Sequence, residues 1–314
     1  MKAIILNEAG GVENLEFTEW PVPIIQADEV LIQAKAISIN PVDIKTRMGK
    51  SLFDELKSKN KTIILGWDIS GVVAEAGAAV TQFKKGDEVF GMINFPGHGK
   101  TYAEYVAAPA SQLALKPSNI SHEAAAAATL AALTAWQALC THAKVRKGQK
   151  ILIHAAAGGV GHYAVQIAKH IGAYVIGTAS AGNREFVLSL GADEHVDYKT
   201  QRLEETVKGV DFVLDSIGEA TIDSSVAVTR KGGTVIFLPA GITDEKLKKL
   251  NSQGVECYRI LVESNGDDMK QIAAMLEHGI IKSHISRVYP FAKMAEAHLQ
   301  IETGKTKGKI IVTI

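Results

Sequence analysis

The sequence predicts an α/β protein in two parts, a mostly β domain from residues 1–121 and 266–314 and a doubly wound parallel-sheet domain over residues 122–265. Three observations predict it. Short β-rich runs at 29–37, 69–74, 88–91 and 103–107 are separated by glycine, proline and asparagine turns, the pattern of antiparallel strands. From about residue 121 helices alternate with apolar strands at 151–154, 174–177, 195–198, 211–215, 234–238 and 256–262, as parallel βαβ units require. The tail adds helical stretches at 269–278 and 293–302 and a closing strand at 309–314. It is expected to return to the first domain, with the functional site in the cleft between the two.

Composition narrows the function classes. Thirty-four basic residues balance 34 acidic ones, so no basic stripe marks a nucleic-acid or anionic-membrane partner. The first strand is read at the N-terminus, where the apolar run is too short for a signal-peptide core, and a cytoplasmic location is expected. The apolar stretch 124–139 is interrupted by Thr129, Thr134 and Gln137 and is shorter than a membrane span, so it reads as a buried helix. The two cysteines, Cys140 and Cys257, stand apart in apolar settings and make neither a disulfide framework nor a metal site.

Residues 151–161, ILIHAAAGGVG, carry the strongest chemical signal: an apolar strand enters a glycine-rich turn and then an amphipathic helix. In such a turn Gly158 and Gly159 let the backbone approach a pyrophosphate, Gly161 lets helix and strand pack closely, and the N–H groups from Ala157 and Val160 onward face the anion. Ala156 stands where the first glycine of the usual G-x-G-x-x-G is expected. The next strand ends in Thr178, Ala179 and Ser180, with no acid to hold a ribose 2′-hydroxyl. Ser180, Asn183 and Arg184 instead offer a hydroxyl, an amide and a guanidinium for a 2′-phosphate, which favours NADPH over NADH. Arg184 as a solvated helix residue beside Glu185 is the alternative. Ser216, Ile217 and Gly218 follow one apolar strand and Leu238, Pro239 and Ala240 another. Strand C-terminal ends are where α/β sheets bind ligands, so both groups are assigned to the nicotinamide half, and Tyr198 to the adenine side.

Seven motifs extend the reading to the whole chain: NPVDIKTRMG at 40–49, GWDISGVVAEAG at 66–77, FKKGDEVFG at 83–91, HAAAGGVG at 154–161, LGADEHVDY at 190–198, VLDSIG at 213–218 and GKIIVTI at 308–314. In order and spacing they resemble the zinc-independent branch of the medium-chain dehydrogenase/reductase superfamily, in particular its NADPH-dependent quinone and enone oxidoreductases, the zeta-crystallin-like group. The resemblance implies a GroES-like domain beside a Rossmann domain, and a homodimer formed through an apolar edge strand at 256–262. Zinc-dependent relatives would carry a cysteine at Asn40 and a histidine-glutamate pair at Trp67 and Asp68. Those ligands are absent, and the ten histidines are scattered, so no metal is expected.

By the same resemblance Lys45 contacts the cofactor ribose or the substrate carbonyl, where an ammonium would stabilise the charge that develops on oxygen as hydride reaches an enone. Asn40 lies near the nicotinamide and Thr134 meets its carboxamide, although as a mid-helix hydroxyl Thr134 could instead bond back to its own helix. Phe53 and Trp67 are candidate walls of the substrate pocket or, equally, core residues. Lys45 could equally be solvated, and Asn40 is also an ordinary turn-former before Pro41. The expected activity is NADPH-dependent reduction of a quinone or an α,β-unsaturated carbonyl. A catalytically weak NADPH-binding protein of the same fold is the alternative. The loops at 49–63 and 92–100 carry no pattern that names the substrate.

Overall fold

The computed structural model describes residues 1–238 and 242–314. The chain forms two compact units, Met1–Leu133 with Val262–Ile314, and Thr134–Leu261. The divisions fall inside the helix Leu130–Trp136 and just after the strand Glu256–Arg259, whereas the sequence reading puts them at 121/122 and 265/266.

The first unit is built around the eleven-residue strand Glu29–Ile39, buried along nearly its whole length. It pairs antiparallel with Asp68–Ala76, with Tyr105–Pro109 and, at its far end, with the closing strand Lys309–Thr313. Two register shifts against Asp68–Ala76 let one long strand serve different neighbours along its length. Ile285–Pro290, Glu88–Met92 and Leu113–Leu115 complete the seven-stranded sheet. A smaller sheet joins Lys2–Leu6 to Leu15–Glu19 and Ile63–Ile64. The consequence for chemistry is local: Ile39 pairs with Ile310, so Asn40, at the end of one strand, and Lys309, at the start of another, are brought beside Asp68.

In the second unit six strands, all parallel, run in the order Glu194–Asp197, Tyr174–Ala179, Lys150–Ile153, Val210–Asp215, Thr229–Phe237, Glu256–Arg259. Numbered along the chain this is 3-2-1-4-5-6, the doubly wound order, and it reverses between Lys150–Ile153 and Val210–Asp215. One of its cores joins Leu152, Ile176, Val213, Val235, Phe237 and Cys257, so the cysteine acts there as a small apolar residue.

Two elements depart from expectation. The last parallel strand is Glu256–Arg259 and does not run to 262; Arg259 pairs with Phe237, and the Ile260 N–H still donates to the Phe237 carbonyl at 3.3 Å. Ile260 and Val262 are nevertheless buried and Leu261 is exposed, so the apolar run serves packing beyond the sheet. The stretch 124–139 is not one helix but His122–Ala127, Leu130–Trp136 and a π-helical turn Gln137–His142. It divides where the Asp68 carboxylate accepts the Leu130 N–H at 2.9 Å, a side chain from a distant strand capping the second helix. Among the described residues no helix is long and apolar enough to cross a membrane.

Candidate active site

The glycine turn lies at the C-terminal end of the first parallel strand. Ala155 takes the left-handed conformation (φ 47°) to start the turn, and the Ala156 N–H bonds back to the Thr178 carbonyl at 2.9 Å. Ala156 is accommodated by a second glycine: a Cβ on Gly177 would stand 2.8 Å from the Ala156 methyl and 2.6 Å from Val187. The small-residue requirement of this fold has thus moved partly to the neighbouring strand. Gly161 opens the helix Gly161–Ile171, and a Cβ there would be 2.2 Å from the Ala155 carbonyl oxygen and 2.8 Å from the Ala156 Cα, so helix and turn are in backbone contact. Ala157 is buried and Gly158, Gly159 and Val160 are half-buried. Within the turn the Gly158 N–H donates to the Ala155 carbonyl (2.8 Å), that of His162 to Gly158 (3.1 Å) and that of Tyr163 to Val160 (3.2 Å), so the donors that fit a pyrophosphate are the N–H groups of Gly159, Val160 and Gly161 at the helix start.

Across the switch point Asp215 organises the second loop, and sequence reasoning missed it. Fully buried, its carboxylate accepts the N–H groups of Ile217 (2.9 Å) and Gly218 (3.0 Å) and the hydroxyls of Thr221 (2.8 Å) and Ser225 (2.8 Å). Gly218 is left-handed (φ 94°), which the turn needs. Because Ser225 gives its one proton to Asp215, it accepts from His154 Nε2 (3.1 Å), while His154 Nδ1 accepts the Thr178 hydroxyl (3.1 Å). Burial pushes the His154 pKa down, opposed by Asp215, so the ring is a neutral bridge. Ser216 donates to the His154 carbonyl at 3.3 Å, and the Leu238 N–H to that of Asp215 at 2.9 Å. Both loops are therefore fixed to one buried polar centre. The signal for it was an acid closing an apolar strand, with hydroxyls six and ten residues on. Pro239 and Ala240 lie outside the described residues.

After the second strand the chain makes a 3-10 turn, Ala181–Asn183, into the helix Arg184–Ser189. The Asn183 amide reaches Ser180 Oγ at 3.4 Å, and Arg184 is exposed next to them. Tyr198 falls one residue past its strand and is 62 % exposed. Thr134 is buried within the helix Leu130–Trp136.

In the first unit the seven-residue helix Pro41–Arg47 follows Asn40 directly, and Lys45 is exposed on its last turn. Asn40 is only 1 % exposed, and its amide is held inside: Nδ2 donates to Asp68 (2.7 Å) and Oδ1 accepts from Lys309. Its backbone N–H donates to Asp43 at 2.7 Å. Burial pushes the Asp43 carboxyl up to about 7, opposed by the Asn40 N–H, with Asp68 adding to the rise and Lys309 countering it. Burial likewise raises Asp68 and lowers Lys309, and the attraction between the two opposes both shifts. Arg47 closes the other end. Its guanidinium donates to the Gly10 carbonyl (3.1 Å), His298 Nδ1 (3.3 Å) and Glu302 (2.7 Å). Arginine can only donate, so His298 Nδ1 is the acceptor and Nε2 carries the proton toward Tyr102 Oη (2.9 Å). Burial, and next the Arg47 charge, press the His298 pKa down to about 3, so the ring stays neutral.

The expected pocket walls part company. Phe53 is half-buried at the start of the helix Phe53–Lys59. Trp67 is 1 % exposed, edge-on to Phe95 at 5.4 Å, with its indole N–H on the Gly97 carbonyl at 2.7 Å. The structure gives Trp67 a place in the core, because its large apolar ring and single donor are both satisfied there.

Residues 26–118 match the alcohol dehydrogenase GroES-like domain family and residues 190–312 the zinc-binding dehydrogenase family. The residues of this chain do not fit zinc: the Asn40 amide is taken up by Asp68 and Lys309, Asp68 faces an ammonium, and among the described residues no group of three His, Cys, Asp or Glu could hold a metal. The chain is 36 % identical to the 2-methylene-furan-3-one reductase of Solanum lycopersicum and to the chloroplastic NADPH-dependent alkenal/one oxidoreductase of Arabidopsis thaliana, over 99 % of this chain and 79 % of each relative. It superposes on the quinone oxidoreductase of Coxiella burnetii with a TM-score of 0.94 at 32 % identity, covering 100 % of this chain and 99 % of that one. With relatives aligned along nearly its whole length, the chain belongs to the medium-chain dehydrogenase/reductase superfamily, among its quinone and alkenal/one oxidoreductases.

Proposed function

We propose that this protein reduces the conjugated carbon–carbon bond of an α,β-unsaturated carbonyl compound, or a quinone, at the expense of NADPH. The carrying observation is the backbone contact at Gly161, which places a helix N-terminus at the end of the first parallel strand beside the switch point. The names of the relatives supply the substrate class: a 2-methylene-furan-3-one has a carbon–carbon double bond conjugated to a ketone, and alkenals and alkenones share that unit.

NADPH supplies the hydride when bound. The turn from Ala157 to Gly161 would take the pyrophosphate, with the N–H groups of Gly159, Val160 and Gly161 as donors, and the helix it opens would neutralise part of its charge. Ser180, Asn183 and Arg184 take the 2′-phosphate, and Tyr198 borders the adenine. Ser216, Ile217 and Gly218, held by Asp215, together with Leu238 and Thr134, orient the nicotinamide half. As the β-carbon receives hydride, the double-bond pair moves to the carbonyl oxygen. There the Lys45 ammonium donates a hydrogen bond to the developing charge, and a solvent proton completes the product. Asn40 acts from within, fixing the start of the helix that bears Lys45. We take the edge strand Glu256–Arg259 as the contact through which two copies pair.

The test is NADPH consumption by the purified protein against enones, 2-alkenals and quinones. Turnover with at least one class is expected. Tight NADPH binding with no acceptor reduced in any class overturns the proposal.

A further inference from the structure

We propose that Lys309 is a positioning residue for the Pro41–Arg47 helix: its buried ammonium holds the Ile39–Asn40 junction to Asp68 and so sets where Lys45 stands. The inference rests on the role given to Lys45 above. Lys309 is 3 % exposed, and its ammonium lies among oxygens: the Ile39 carbonyl at 3.3 Å, Asn40 Oδ1 in a short contact, and Asp68 Oδ2 at 3.8 Å. Asp68 in turn accepts Asn40 Nδ2 at 2.7 Å. Ammonium, carboxamide and carboxylate thus close a triangle. Since the ammonium only donates and the carboxylate only accepts, the Asn40 amide has one orientation, and the strand-to-helix junction one geometry.

The helix depends on such anchors. Seven residues are too few to hold a helix by propensity alone. Asn40 is fixed by Lys309 and Asp68 at its start, Asp43 accepts the Asn40 N–H within it, and Arg47 is tied to Gly10, His298 and Glu302 at its end. Lys45 is exposed between these buried anchors. An apolar side chain at 309 would fill the space but leave Asp68 without its counter-charge, so packing does not explain the lysine. The ammonium does what only a cation surrounded by oxygens can do here.

Cutting Lys309 back to alanine opens a cavity in which those oxygens can receive a small alkylammonium ion. In Lys309→Ala, kcat should fall about tenfold or more while KM for NADPH changes less than about threefold. Propylammonium or ethylammonium should restore kcat saturably, and tetramethylammonium, which has no N–H to donate, should not. Should that variant not fold, the pair Lys309→Met with Asp68→Asn keeps the volume without a buried charge. It is expected to unfold near the native temperature yet retain the low kcat. A native kcat in the pair, or amines that restore the unfolding temperature of Lys309→Ala without its kcat, overturns the proposal. Lys45→Met in parallel separates the two assumptions. A normal kcat there, with an amine-dependent kcat in Lys309→Ala, refutes the role of Lys45 and supports the hold of Lys309 on the junction. A low kcat there, with an amine-independent loss in Lys309→Ala, refutes Lys309 alone.

Discussion

Two alanine substitutions in one turn separate folding from cofactor binding. At Gly161 the new methyl would lie 2.2 Å from the Ala155 carbonyl oxygen and 2.8 Å from the Ala156 Cα, both backbone atoms. An ordinary C···O contact is about 3.3 Å or longer, so helix and turn must separate by about 1 Å. Overpacking of this kind costs about 1–3 kcal/mol, and no flexible side chain is present to absorb it, which places Gly161→Ala at about 3 kcal/mol. At Gly158 the methyl would lie 3.2 Å from the same oxygen, and its φ is outside the left-handed region. A shift of a few tenths of an ångström suffices there, and the loss of unfolded-state entropy offsets it by about 0.4–1 kcal/mol. Gly158→Ala should therefore melt within a few degrees of the native protein, at about 2–4 °C per kcal/mol. On the proposed reading its methyl stands where a pyrophosphate approaches, so NADPH affinity should fall at least about tenfold, about 1.4 kcal/mol. Thermal unfolding by circular dichroism and a calorimetric NADPH titration read the two effects apart. Unchanged NADPH affinity in Gly158→Ala would mean that this turn is not the phosphate cradle, and an unchanged melting temperature in Gly161→Ala would refute the backbone contact.

Arg184→Ala should erase most of an NADPH preference expected at about tenfold or more over NADH; equal affinities for the two in the native protein would refute the 2′-phosphate assignment. Lys45→Met should lower kcat for an enone by roughly 10²-fold with less effect on NADPH affinity, and single-turnover hydride transfer with an enone and a quinone measures it. Asp43 has a native pKa of about 7 against an ordinary value of 3.8, so between these limits the folded state holds the proton more tightly and this group's contribution to stability falls as pH rises. Asp43→Asn should accordingly gain melting temperature relative to the native protein from about pH 5 to about pH 8, and a difference that stays flat or reverses contradicts the burial of this acid. Sedimentation at micromolar concentration should give the mass of two chains, and a single-chain mass counts against pairing through Glu256–Arg259.

The sequence by itself determined the class of fold and the place of the glycine turn, because both are local. Alternating apolar strands and helices force parallel crossovers, and a strand, a glycine turn and the start of a helix within eleven residues can make little else than a helix N-terminus at a strand end. That Ser180, Asn183 and Arg184 share one turn was legible for the same reason. Only the tertiary structure decided the polar interior. Lys309 and Asn40 are 269 residues apart, and nothing in either neighbourhood announces their meeting; the antiparallel pairing of Ile39 with Ile310 creates it. Asp215 read as an ordinary strand-end acid until the backbone turned four donors toward it. Trp67 was indistinguishable from a pocket wall, since burial depends on what the rest of the chain packs against a ring and not on the ring itself. Apolar periodicity is written residue by residue, whereas the partner of a buried charge is chosen by topology, because an unpaired charge cannot remain in the interior whatever its distance along the chain.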